Sequence, residues 1–316
     1  MQGTFNLLKG VIPFTKYPYV GVSDPCAVCG GAEKATVCEY DRRIKRLTTV
    51  ICDDCGTLRT DPMPTDAELA NYYATAYRFD YQLAAGTKPP KFHLKRSRGL
   101  AEHRFAKYSP AFPEGGRVLD FGCGSGEFLQ VCKENGHEVE GIEPGESYAR
   151  FANETYGVQV QNCGWQDADF GDRSFDVITA FHVFEHLRDP KAALQFLLSK
   201  LNEGGVIVIE VPNMLPSKKK LFEELHFAHV YGFTPNTLER LGNECGLERH
   251  PMQDHPWTDM VFRRAEGEIA PGAADSDYSR DLAGQYDKTD IAAFLLKFGW
   301  LGDMYRRVAK DLRDSR

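Results

Sequence analysis

The 316-residue chain has no uninterrupted apolar run of the roughly 18 residues that suggest a membrane span. It also has no excess of positive charge. Its 38 Lys and Arg stand against 45 Asp and Glu, for a net charge of −7. That balance argues against a general nucleic-acid binder, whose phosphate contacts need clustered Lys and Arg, and leaves only a local basic patch open. No internal repeat is visible, which sets aside stacked-repeat architectures. Met1 to Lys16 shows no apolar core followed by a small-residue cleavage site, so no export signal is read and a cytoplasmic location is expected. Cysteine is not scarce. Nine cysteines in an unexported chain suggest reduced thiols and metal ligation in place of a disulfide framework. The length suffices for one full α/β domain with a smaller module beside it.

The cysteines are concentrated near the start. Cys26-Ala-Val-Cys29 and Cys52-Asp-Asp-Cys55 are two knuckles with the spacing of a four-cysteine zinc ribbon. Each knuckle puts two thiolates on one tight turn. Four thiolates close the coordination sphere of Zn2+, which marks a structural ion. Residues 35–40 and 46–51 are expected to pair as a hairpin with Asp41-Arg-Arg as its turn. Cys38 is expected to pack in that hairpin. Asp61-Pro-Met-Pro64 is a rigid exit. Thr65 is placed to cap a helix through Tyr73, with Glu68 as its capping-box partner. Tyr72, Tyr73, Tyr77, Phe79 and Tyr81 form an aromatic cluster, read first as packing and second as a lid with a platform for a ring-shaped substrate.

The second focus is Val118-Leu-Asp-Phe-Gly-Cys-Gly-Ser-Gly126. A short apolar strand, 117–121, breaks at a glycine turn, and a helix with Phe128, Leu129 and Cys132 on one face follows over 126–135. Glycines there let backbone N–H groups approach a ligand closely. Asp120 precedes the turn, and Glu143 ends the next strand, 138–142. Strand and helix then alternate: helix 146–156, a strand near 158–161, strand 175–181, helix 190–201 and strand 206–211. A helix begins at Thr234-Pro235, and 247–264 is expected to supply a closing antiparallel pair. Alternation of this kind predicts an α/β, doubly wound, Rossmann-like parallel sheet. Residues 265–276 read as a linker. An apolar stripe from Ile291 to Leu312 reads as a C-terminal helical tail packed on its own domain, or alternatively as a homodimer contact. The expected segments are a ribbon over 1–64, a helical linker or lid over 65–116, the sheet domain over 117–265, and the linker and tail over 266–316.

The turn, the acidic strand end at Glu143, Ser174-Phe-Asp-Val-Ile-Thr179 and Phe181-His-Val-Phe-Glu-His-Leu-Arg-Asp-Pro190 together resemble the class I S-adenosylmethionine-dependent methyltransferases. The ribbon and the Asp-Pro-Met-Pro-Thr segment resemble a subgroup that acts on sugars and glycans. The resemblance implies S-adenosylmethionine as cofactor. It places the backbone of Phe121, Gly122, Cys123 and Gly124 against the methionine part, and Glu143 with Pro144 at the ribose hydroxyls. It also places Gly164 and Trp165 by the adenine, with Phe181 and His182 lining the other side. Asp120 would orient the turn or the cofactor's amino group. A nicotinamide-dependent dehydrogenase is the competing fold reading, but the turn is G-C-G-S-G and no hydride-transfer constellation is legible.

Methyl transfer to a hydroxyl needs a base in reach of the acceptor proton, and histidine has a suitable pKa. His182-x-x-Glu185-His186 follows the fourth strand of the sheet. Related quinone-type O-methyltransferases can carry Glu-x-x-Glu-His there and bind a divalent metal. The histidine at position 182 departs from that pattern. The connection from Asn213 to Phe233 contains Glu224, His229 and Tyr231. His229 matches the histidine of a Glu-His pair in the sugar-methylating subgroup, but Ala228 replaces the acid, so an orienting carboxylate would come from elsewhere, with Glu224 a candidate. Lys218-Lys-Lys220 reads as a solvated face or as a contact for a phosphate. The expected activity is O-methylation of a sugar or glycan hydroxyl, with His229 as base and His186 binding or orienting the acceptor. The alternatives are O-methylation of a phenolic or quinone-like metabolite, sugar C-methylation and, last, modification of RNA. The expected partner is a small-molecule or glycan acceptor.

Overall fold

A computed structural model describes residues 14–75, 91–254, 256–269 and 274–286. Tyr77, Phe79, Tyr81 and the stripe from Ile291 to Leu312 lie outside these residues, and with them the tail-helix and dimer expectations. Among the described residues no helix is long and apolar enough to cross a membrane. The described chain forms two compact units, one gathering 14–75, 214–232 and 274–286, the other 91–213 and 233–269 without 255.

β1 (Lys34–Tyr40) and β2 (Arg46–Cys52) form the expected antiparallel hairpin. Its turn is held by Asp41, whose Oδ1 accepts the N–H groups of Arg43 and Lys45, each at 3.0 Å. A short carboxylate that satisfies backbone donors in this way fixes a turn locally. β3 (Leu58–Thr60) adds beside β2. α1 (Asp66–Thr75) starts at the capping box: the Glu68 carboxylate accepts the Thr65 N–H at 2.8 Å, and the Glu68 N–H donates to Thr65 Oγ1 at 3.3 Å. Tyr72 on this helix is buried, edge-on to Phe227 at 4.8 Å, so that part of the aromatic cluster serves packing.

After α2 (Lys91–Tyr108) come β4 (Arg117–Phe121), α3 (Glu127–Glu134), β5 (Glu138–Ile142), α4 (Glu146–Tyr156) and β6 (Gln159–Gln161). β7 (Phe175–Phe181), α5 (Pro190–Ser199) and β8 (Leu201–Glu210) follow. α6 (Leu221–Glu224), β9 (Tyr231–Gly232), α7 (Pro235–Asn243), β10 (Leu247–Arg249), β11 (Asp259–Arg264) and α8 (Ser276–Gln285) complete the described elements. β8 begins at Leu201, earlier than expected, because Leu201 already pairs with Phe175.

The second unit is a seven-stranded sheet in the order β10-β11-β8-β7-β4-β5-β6. β4 through β8 are parallel, and β10 and β11 form the antiparallel edge expected from 247–264. Val118, Val177, Ile207 and Val208 are fully buried, as strands covered on both faces require. Chain order reverses at β4: β5 and β6 lie to one side, β7 and β8 to the other. In an open parallel sheet the carboxyl ends of the strands at such a reversal form the ligand crevice. β4, β5 and β7 end there in register, with Asp120 opposite both Gly141 and Thr179.

The first unit holds an antiparallel sheet, β1-β2-β3-β9. Its apolar cluster joins Ile51 and Leu58 to Met214, Leu221 and Leu225, and to Leu282 and Tyr286 of the α8 region. Ser279 Oγ on α8 donates to the Cys52 carbonyl at 2.7 Å. The connection after β8, expected to belong with the parallel sheet, therefore supplies residues 214–232 to the first unit.

Candidate active site

The glycine turn is tied to the neighbouring strand before any ligand is considered. Gly122 and Cys123 both donate their N–H to the Ile142 carbonyl, at 2.8 and 3.0 Å. The Cys123 side chain is buried against Leu129 and Ala149, so its backbone is the part left to the turn. Gly124 has φ +54, and no other heavy atom lies within 4 Å of where a Cβ would stand. Gly126, at φ +84, differs: a Cβ there would come within 2.7 Å of Ala152 Cβ. One glycine leaves open space above the turn, and the other lets α3 and α4 pack closely.

Glu143 faces this turn. Its carboxylate accepts the Gly124 N–H at 3.0 Å and the Gly145 N–H at 2.7 Å. Burial pushes its pKa up, while the two amides favour the charged form. A carboxylate has about four acceptor positions, so two bonds fix it and leave others for vicinal hydroxyls. Asn162 Nδ2 donates to the Glu143 and Pro144 carbonyls, at 2.9 and 3.0 Å, and so holds the strand end. Asp120 is buried and accepts the Thr179 hydroxyl at 2.7 Å; burial pushes its pKa up to about 7. Gly164 precedes the short turn Trp165–Asp167, and the Trp165 ring lies 5.7 Å from that of Phe196. Phe181 packs edge-on to Phe128 at 4.8 Å and beneath the Arg104 guanidinium at 4.2 Å.

His182 leaves β7 in a left-handed conformation, φ +57. Its Nδ1 lies 3.3 Å from Glu185 Oε1 and its Nε2 lies 3.2 Å from Glu210 Oε1. Burial would lower its pKa, but the two carboxylates outweigh this and push it up to about 9. Glu210 also takes a two-pronged pair from Arg104, at 2.7 and 3.0 Å. Burial would raise the Glu210 pKa, but His182 and Arg104 bring it down to about 2. Arg104 and Glu210 were not singled out from the sequence. They stand 106 positions apart, and no local motif links them.

Residues 93–250, half the chain, match the family described as methyltransferase domain. The chain belongs to this family. It is 32% identical over 106 residues to an uncharacterized methyltransferase of Staphylococcus carnosus, covering 33% of this chain and 50% of that protein. It is 31% identical over 127 residues to a ubiquinone biosynthesis O-methyltransferase of Idiomarina loihiensis, covering 38% and 52%. The chain thus spans about half the length of the curated relatives it matches. Among solved structures, it resembles a SAM-dependent methyltransferase from Archaeoglobus fulgidus with a TM-score of 0.41 at 30% identity, covering 48% and 69%.

The methyltransferase domain match continues past the crevice strands into the 214–232 segment. There His229 donates its backbone N–H to the His226 carbonyl at 3.0 Å, and the two imidazoles lie 3.7 Å apart. Tyr231 is buried on β9, paired with Arg59. Glu224 lies 3.3 Å from Lys219 Nζ in an open cleft that Lys218, Lys220 and Tyr286 also line. His186 Nε2 lies 3.9 Å from Glu185 Oε1, and Glu185 is buried.

Outside the family match, the four knuckle cysteines gather as expected. Cys26 and Cys55 Sγ are 3.7 Å apart, and Cys29 and Cys52 are 3.6 Å apart. Four sulfurs at about 2.3 Å from a tetrahedral zinc would stand about 3.8 Å apart. The spacing fits that ion. Hydrogen bonding from Cys26 lowers the pKa of both Cys29 and Cys52, the direction that ligation of a metal ion needs. Gly31 N–H donates to Cys29 Sγ at 3.4 Å.

Proposed function

We propose that the protein transfers a methyl group from S-adenosylmethionine to a hydroxyl. The observation that carries this is the Glu143 carboxylate, held by the Gly124 and Gly145 amides at the strand reversal, below open space at Gly124. When bound, the cofactor supplies a methyl on a positively charged sulfur, which leaves as a neutral thioether. Glu143 would accept the ribose hydroxyls. The backbone of 121–124 would hold the methionine part, with Asp120 beneath it, and Gly164 and Trp165 would flank the adenine. Most of the rate effect then lies in alignment, which can supply about 7–11 kcal/mol of a barrier.

For the acceptor we take a sugar or glycan hydroxyl first. The ribbon-like cysteine set and the His229–Thr234-Pro235 segment support it through the resemblance described above. A second reading, a phenolic or quinone-like hydroxyl, is favoured by relatives named as ubiquinone biosynthesis O-methyltransferases. His182 carries a proton at neutral pH, which suits it poorly to take one from an acceptor. His229 is the candidate base and His186 the candidate orienting group, with Glu185, Glu224 and Tyr231 as supporting candidates. We also take Cys26, Cys29, Cys52 and Cys55 to hold one structural Zn2+.

The test is a cofactor-dependent transfer assay over nucleotide sugars, glycans, phenols and RNA, read by mass. A gain of one methyl on a hydroxyl is expected. With the acceptor known, replacing the base by alanine should lower kcat by about 10²–10⁴ and leave cofactor affinity nearly unchanged. Near-normal turnover in both His186→Ala and His229→Ala would remove both from the proton step.

A further inference from the structure

Charged groups from three elements of the parallel-sheet unit form an alternating series behind the turn that leaves β7. Arg104 comes from α2, Glu210 ends β8, and His182 with Glu185 and His186 follows β7. Arg104 grips Glu210 with two nitrogens, at 2.7 and 3.0 Å. Glu210 holds His182 twice: its carbonyl accepts the His182 N–H at 2.7 Å, and its carboxylate faces Nε2 at 3.2 Å. The other ring nitrogen of His182 faces buried Glu185 at 3.3 Å. Glu185 in turn lies 3.9 Å from His186. Acidic and basic side chains alternate along the series, which ends at the candidate orienting histidine.

Two features argue that this is more than packing. His182 adopts a left-handed backbone, which a non-glycine residue keeps only when its surroundings over-determine it, and such strain collects at functional sites. Its side chain is also 48% exposed, so the ring is not there to fill a core. Meanwhile Glu185 is 1% exposed, and a buried carboxylate needs a positive partner close by. His182 Nδ1, at 3.3 Å, is one such partner, and Glu210 faces its other ring nitrogen.

We propose that Arg104 and Glu210 are positioning residues: they clamp His182 as an imidazolium, and the imidazolium fixes Glu185 and, through it, His186. The inference rests on the proposed methyl-transfer reading only for what His186 does; the clamp itself stands on the contacts above. Among the described residues, the charged groups set against His182 include Glu210 from β8, Arg104 behind it from α2, and Glu185 from its own turn.

Nuclear magnetic resonance of the histidine rings in the full chain tests it. In the wild type His182 should titrate near pH 9. Glu210→Gln should lower that value by about one unit or more, and the His186 ring resonances should move although Glu210 does not touch His186 directly in the series. His182→Asn, which removes the cation but tolerates the left-handed backbone, should move the His186 resonances too. It serves if Glu210→Gln does not fold. Glu210→Gln should bind S-adenosylhomocysteine within about twofold of wild type, which a general loss of structure would not allow, and His182→Asn should keep a melting temperature close to that of the wild type. Titration of wild-type His182 near 6.5, or a Glu210→Gln or His182→Asn variant whose His186 resonances stay in place, would overturn the proposal. Failure of the wild type to bind S-adenosylhomocysteine would sink the cofactor reading, while the titration still decides the clamp.

Discussion

The cysteine cluster and the glycine turn are both built on tight backbone turns, but they recruit opposite parts of the chain. At the cysteines, backbone turns aim four side chains at one point, with sulfurs 3.6 and 3.7 Å apart in two of the pairs. At the glycines, side chains are absent and one distant carboxylate, Glu143, gathers backbone amides. A site made of side chains announces itself by residue type and spacing. A site made of backbone is announced only by what is missing, and its side-chain partner must be found elsewhere in the chain.

The largest expected effect breaks the first half of this comparison. Metal ligation by four thiolates contributes on the order of 10 kcal/mol of apparent binding free energy. Cys52→Ser, or stripping with a strong chelator, should therefore unfold the knuckle turns, as seen by loss of amide exchange protection over 26–31 and 52–57. Elemental analysis should find one zinc per chain before treatment. Protein purified without chelator and free of zinc would contradict the assignment. The apolar cluster of Leu58, Met214, Leu282 and Tyr286 is a separate support and should persist longer than the knuckles.

A middle-sized effect separates the two glycines. Gly126→Ala places a Cβ within 2.7 Å of Ala152 at φ +84 and should destabilise the fold by about 1–3 kcal/mol in denaturant melts. Gly124→Ala meets open space and carries only the strain of its left-handed backbone, about 1 kcal/mol, so the rest of its cost should appear as lost cofactor affinity. Equal loss of stability in both variants would erase the distinction. The smallest effect is at α1. Thr65→Ala removes the side-chain half of the capping box and should cost about 1 kcal/mol, measurable as a lower melting temperature.

Legibility from sequence followed the same divide. The parallel sheet was readable because β4, β7 and β8 carry apolar runs, and β5 a shorter one, separated by helical periods and punctuated by glycine. The capping box was readable because Thr65 and Glu68 stand three positions apart. β3 and β9 were not read, since three and two residues are too short to show a period. α8 was not read because its inward Tyr278 and Leu282 follow a polar stretch that looks like linker. At the crevice, Glu143 was visible as an acidic strand end, but its two amide donors were not. The Arg104–Glu210 pair was invisible, because only the folded sheet brings α2 to the end of β8. Glu224, a candidate partner for His229, forms an ion pair with Lys219 at 3.3 Å that no local motif announces.

The account stands most directly on Glu143. Calorimetry of S-adenosylhomocysteine binding should compare wild type with Glu143→Ala. The account predicts clear binding by the wild type and a loss of about 1.5–3 kcal/mol in the variant, because hydrogen bonds to a charged partner are removed. Equal affinity of the two proteins, or no binding by a folded wild type, would contradict it.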